Sequence, residues 1–427
     1  MLDSHSTAAT PSRREARTIP RDPGIDSTLA LLREGYTFIP KRCRQFGSDL
    51  FETRLMLERA VCMTGPDAAR QFYRPDQVTR RGGLPQVSFS LIQDNGSVMV
   101  MDGDAHRWRK AMFLSLVQPA ALDRLKEATA AHWRARLRRW PGRGDVVLLD
   151  EAHVALCAAV CEWAGLLLTP RQVERRAREF AAMVDGTGSI GLRNVRGHPL
   201  RLGTERWMRT RIRQIRAGQA DAPEGSAARV IAEHRDRRGE LLDVRVAAVE
   251  LINVLRATVA NARYVAFGAM AMHEHPRCRA ALRSGDPVEI ECFVQEVRRF
   301  YPFISGRVLQ PFDWHDHGFA QGDWVLMDLY GTNHDPRVWE APEAFRPERF
   351  HTWDGDPYTF VPQGAGDYPD GHRCPGEWIT IGQMKTMLDI LAREVRYTVP
   401  LQNLAVDLGR MPALPESGFV VANVAVE

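Results

Sequence analysis

The longest helical candidate in the chain runs from about Leu241 to Glu274 and is stopped by Pro276. Roughly thirty residues at about 1.5 Å each make a rod of about 45 Å, so the rest of the chain must surround it with either a membrane or a large core. Arg245, Glu250, Asn253, Arg256 and Arg263 interrupt its apolar surface. A central helix of a large core outside the membrane is therefore the expectation.

A second stretch constrains the chemistry. Phe360 to Trp378, FVPQGAGDYPDGHRCPGEW, is too rich in glycine and proline for a strand or a packed helix, and its backbone can turn and approach a flat ligand closely. Pro375 suits a first helical position, and Trp378, Ile381, Met384, Leu388, Leu391 and Val395 recur at helical spacing. Cys374 is thus expected at a helix N-terminus, where free N–H groups lower a thiol's pKa and favour a metal-binding thiolate. The plainer reading is one more buried free cysteine.

Three segments in order decide between these readings. Glu296 and Arg299 form Glu-x-x-Arg on a helix, Arg346-Pro-Glu-Arg-Phe350 follows, and Phe360 to Gly376 closes the set. Together they resemble the haem-thiolate cytochromes P450. Gln295 to Phe303, Leu329 to Asp335 and Gly371 to Glu377, with the long loop before Cys374, look like its bacterial fatty-acid peroxygenase branch. The resemblance implies a mainly α fold with a minor β region and the long central helix over the haem. It further implies one catalytic domain over residues 25–427, haem b with Cys374 as axial iron ligand, and a supporting cluster of Glu296, Arg299 and Arg349.

Composition narrows the partners. Formal charge is only +4, and the basic residues, nearly all arginine, are spread along the chain rather than gathered into a patch. No nucleic-acid partner is expected. Seven cysteines without CxxC spacing argue against a disulfide framework and for a reducing compartment. Residues 1–24 carry no hydrophobic run and read as a mobile tail, without a signal peptide or membrane anchor. A cytoplasmic protein with no integral membrane association is the expectation.

Between these landmarks, Tyr36 to Met63 suggests a small sheet and Arg74 to Asp102 an irregular pocket wall. Asp102 to Lys110 enters a helix on which His106 and Lys110 share a face. By resemblance that face, with Arg80 and His372, meets the haem propionates, which need cationic or donor partners. Thr169-Pro-Arg-Gln172 reads as a capping box opening a helix towards Val184, ended by Gly186, Gly188 and Gly191. Arg201 to Arg216 and Arg229 to Arg238 read as solvent-facing helices. Asp286-Pro-Val-Glu289 starts the helix bearing Glu296, and Val308 to Gln310 and Trp324 to Asp328 read as strands.

On the central helix most family members carry an acid before a threonine, which delivers protons to bound dioxygen. Here the run is Leu255-Arg256-Ala257-Thr258. A buried arginine needs a counter-ion, and a fatty-acid carboxylate, held by two parallel hydrogen bonds, fits the guanidinium. A structural ion pair to a protein carboxylate is the competing reading. Phe303 and Ala257, the latter where branch members usually have proline, are expected beside the substrate. Met99 stands where relatives place glutamine or histidine, and a thioether cannot transfer a proton. The expected activity is hydroxylation of fatty acids at the alpha or beta carbon with hydrogen peroxide, terminal alkene being minor and no redox partner strictly required. A dioxygen-dependent monooxygenase with a redox partner, or a non-catalytic haem-binding protein, are the alternatives.

Overall fold

The structure, a computed structural model, describes residues 19–427 except 84, 95, 190, 302–305, 309–311 and 315–316; for 87, 88, 306–308, 312 and 313 it describes the backbone alone. Among the described residues helices dominate. The ones that shape the site are α1 (Gln86–Ile92), α2 (Gly103–Leu116), α3 (Leu148–Trp163), α4 (Pro170–Thr187), α5 (Leu192–Arg216), α6 (Val244–Ala260), α7 (Ala262–Glu274), α8 (Pro287–Phe300) and α9 (Glu377–Arg393). The minor β region centres on a sheet of β1 (Leu50–Leu55), β2 (Glu58–Thr64), β3 (Val78–Thr79), β4 (Gly306–Val308) and β5 (Trp324–Asp328), in the order β1-β2-β5-β4-β3. β1 and β2 are antiparallel with Leu50 opposite Met63, while β2 and β5 run parallel with Val61 opposite Val325.

Helix starts follow local chemistry. Thr169 caps α4 through a reciprocal capping box with Gln172, and Asp243 and Asp286 cap α6 and α8 by accepting from backbone N–H groups. The largest core packs α3, α7, α8 and α9 together around Ala266, Val294, Met384 and Leu388. No helix among the described residues is long and apolar enough to cross a membrane.

Several expectations need correction. The central rod is two helices: at Asn261 the backbone tightens, its N–H bonding Thr258 O at 3.2 Å. The Asn261 side chain is held by Gln383 and Thr380 of α9. The sheet expected from Tyr36 begins only at Leu50, because Phe38, Ile39 and Cys43 bury one face of a helix over Phe38–Phe46. Part of the expected tail is fixed: Glu52 bonds Pro20 and Asp22 through the backbone at 2.8 Å, and the Asp22 carboxylate meets Arg42 at 2.6 Å. Residues 1–18 lie outside the described residues. Gly186 does not end α4, which continues to Thr187. Arg201 is not solvent-facing: it is 2% exposed, donates to Glu205 at 2.7 Å, and leaves both terminal nitrogens without a hydrogen-bond partner among the described residues.

Candidate haem-thiolate site

The loop before Cys374 is pinned from several directions. Cys374 N donates to Gln363 O at 3.0 Å, and Tyr368 Oη donates to Pro375 O at 2.7 Å. Gly364 holds φ +94°, and a side chain there would press on the Arg373 Cα at 3.3 Å, so the close return of the loop requires glycine. The helix begins later than the sequence suggested. Cys374 to Gly376 form a turn, with Glu377 N bonding Cys374 O at 3.3 Å, and Pro375 is not the first helical residue of α9. Burial pushes the Cys374 thiol up and the Gly376 N–H only partly opposes it, contrary to the lowered value expected at a helix start. A cation beside the sulfur is what would favour the thiolate.

On one flank of the loop the four expected cofactor contacts come together. Lys110 Nζ donates to Gly371 O and, at 2.9 Å, to Arg373 O; Arg80 Nη2 donates to His372 O at 2.9 Å. The His106 and His372 rings lie 4.0 Å apart. Burial lowers Lys110 to about 8 and His106 to about 4, the nearby cations adding to the latter. Neither Arg80 nor Lys110 forms an ion pair among the described residues. Nor does any cluster of three or more metal-ligating side chains occur among them. A single sulfur beside unneutralised cations fits a metal that brings its remaining ligands and its own acid groups, as an iron porphyrin with propionates does.

Beneath the loop, α8 supplies two buried arginines. Arg299 and Glu296 form a bidentate pair at 2.8 Å, both fully buried, and Glu296 also meets Arg349 at 3.2 Å and Arg346 N at 2.8 Å. Arg298 donates to Glu377 at 2.5 Å and to Gln363 at 3.1 Å, while Arg373 meets the other Glu377 oxygen at 2.6 Å. The expectation covered the first cluster and missed the second. Glu377, the acid following Cys374-Pro-Gly, was the available signal.

The central helix also carries Arg256. It is 6% exposed; Nη1 donates to Ile92 O at 2.5 Å and Nη2 to Asn253 Oδ1 at 3.1 Å. Among the described residues no carboxylate pairs with it, so the competing reading of a structural ion pair finds no partner. Burial, then the charge of Arg201, lowers it to about 9, which leaves it a cation at neutral pH. Asn253 Nδ2 in turn donates to Gln93 at 3.0 Å and to Glu250 at 3.1 Å. Glu250, paired with Arg109 at 2.8 Å, accepts from Val98 N at 2.8 Å and so fixes the turn that carries Met99. Gln93 and Arg109 were given no role from sequence, and Glu250 and Asn253 were read only as polar interruptions of the helix's apolar surface. Ala257 alone in the turn Leu255–Val259 is exposed, and Phe303 lies outside the described residues.

Residues 290–411 match the family described as Cytochrome P450. Among solved structures, the chain is 43% identical to Cytochrome P450SP alpha (CYP152B1) in complex with (R)-ibuprophen, covering 94% of this chain and 100% of that one at a TM-score of 0.91. It is 37% identical to Cytochrome P450EX alpha (CYP152N1) with myristic acid, covering 96% and 100% at 0.92. It is 35% identical to a variant of cytochrome P450 OleT in complex with arachidonic acid, covering 96% and 99% at 0.92. The chain belongs to the cytochrome P450 family. It is an oxidoreductase that uses haem bound through a cysteine thiolate, and its branch is that of the fatty-acid peroxygenases which its motifs resemble.

Proposed function

We propose that this enzyme uses hydrogen peroxide to hydroxylate fatty acids at the alpha or beta carbon, with terminal alkene a minor product and no redox partner required. The observation that carries the reading is Arg256: a buried guanidinium on the central helix with neutral acceptors on two nitrogens and no protein carboxylate among the described residues. The structures with myristic and arachidonic acid add support from relatives.

Cys374 is the proposed iron ligand, Lys110, Arg80, His106 and His372 the proposed propionate flank, and the bound haem supplies the oxidising chemistry. The protein's own part is positioning. Two of the five guanidinium N–H donors of Arg256 are committed, so three remain for a substrate carboxylate. Anchored there, the carboxylate moves a proton from one oxygen of hydrogen peroxide to the other, a task for which the turn Leu255-Arg256-Ala257-Thr258 has no acid. Anchoring also brings the alpha and beta carbons nearest the reacting centre, so orientation sets regioselectivity. Met99 has no proton to give or take, which favours hydroxy acids over decarboxylation.

Incubation of the purified ferric protein with a series of fatty acids and hydrogen peroxide, beside a parallel reaction with NADPH and surrogate ferredoxins, tests this reading. Hydroxy acids from peroxide alone are expected. Turnover only in the electron-fed reaction, or mainly alkene product, would contradict it.

A further inference from the structure

A cationic cavity has neither Cys374 nor Arg256 in its lining. It measures about 920 Å³ and is walled by α3, α4, α5, α7 and the loop Arg410–Gly418. Five arginines and three acids line it, and the acids do not balance the arginines where it counts. Asp185 Oδ1 alone accepts from Arg410 at 2.7 Å and Arg263 at 3.3 Å, and Arg193 reaches the same oxygen at 3.6 Å. Three guanidinium groups thus share one carboxylate. Glu179 is committed to Arg175, Arg176 and Thr204, and Glu416 sits exposed on the outer loop.

The excess charge is not free to escape into water. The Arg263 side chain is only 10% exposed, and among the described residues its Nε and Nη1 have no hydrogen-bond partner; Arg410 Nε and His153 Nε2 are likewise buried without one. Burial holds His153 neutral, at about 3. Unpaired buried cations and donors are costly, whereas an anion placed among them would be desolvated and charge-assisted on several sides. Arg178 and Arg196, exposed at the rim and without an ion pair among the described residues, extend the positive field outward. Apart from His153 and Ser417 the remaining wall is apolar, with Leu149, Ala182, Pro199, Leu200 and Leu414.

From this arrangement we infer that the cavity is a second binding site for an amphipathic carboxylate, its head group at Arg263 and Arg410 and its aliphatic part along Leu200 and Leu414. The inference does not depend on Arg256 anchoring the substrate. Its test is therefore made in the Arg256→Leu holoenzyme, by equilibrium dialysis with labelled decanoate. One decanoate per chain should remain bound. Arg410→Gln, on a partly exposed loop, should weaken that binding at least about tenfold, as should Arg263→Gln, with circular dichroism confirming the fold of each. Inorganic phosphate as competitor separates the contributions: displacement assigns the affinity to the guanidinium groups, and its absence adds the apolar wall. No decanoate bound in the Arg256→Leu protein, or full binding after Arg410→Gln, would overturn the inference.

Discussion

Arg256 was visible in the sequence because a cation in an apolar helix is anomalous by itself; its partners were not. Ile92, the last residue of α1, and Gln93 just beyond it, which braces Asn253, lie more than a hundred and fifty positions away, and nothing local marks the contact. Replacing Arg256 with leucine should lower peroxide-driven kcat/KM at least about a hundredfold, or about 2.7 kcal/mol of transition-state stabilisation. Arg256→Lys keeps the charge and loses the fork, so it should fall between the two, with its loss mostly in product distribution and KM. Steady-state kinetics with product analysis reads both.

Asp328 illustrates a charge that local sequence could not have flagged. Burial pushes its carboxyl up to about 7, while the Gly331 N–H and Thr64 hydroxyl work the other way. The folded chain then keeps a proton that the unfolded chain releases above the ordinary value of 3.8. The stability this group contributes is full below that value and is lost as pH rises toward 7. Asp328→Asn removes the titration, so its stability relative to the parent should climb across that window by about 1.4 kcal/mol per pH unit at most, measured by urea unfolding at a series of pH values. A flat difference would mean the carboxyl titrates normally.

At the scale of elements, caps and ion-pair clusters differ in what they hold. Thr169 caps α4 at its exposed start through the box with Gln172, so Thr169→Ala should cost about 1 kcal/mol of stability and leave turnover unchanged. Glu296 is another matter, since its two oxygens hold the fully buried Arg299 together with Arg349 and the Arg346 N–H. Glu296→Ala leaves buried cations unpaired and should cost roughly 3–5 kcal/mol, seen as a lower unfolding midpoint and faster haem loss. Helix starts with side-chain caps were legible because their chemistry is local. The break at Asn261 and the late start of α9 were not, because Asn261 answers to Thr380 and Gln383 and Glu377 to Arg298, all distant in sequence.

Across the whole molecule, the mainly α architecture with its small sheet followed from helical periodicity and from the motif order that carried the family resemblance. Which arginines are buried did not follow, since the same residue type supplies surface pairs, the Glu296 cluster, the Glu377 support and the isolated Arg256. The proposed function joins the Cys374 sulfur to the buried Arg256 guanidinium and leaves the acid function to the substrate. The most direct measurement compares decanoic acid with its methyl ester as substrates for the wild-type ferric protein and hydrogen peroxide, without any reductase. The acid should be hydroxylated near its carboxyl end and the ester left essentially untouched. Equal turnover of acid and ester would contradict the assignment of Arg256 and the borrowed acid together.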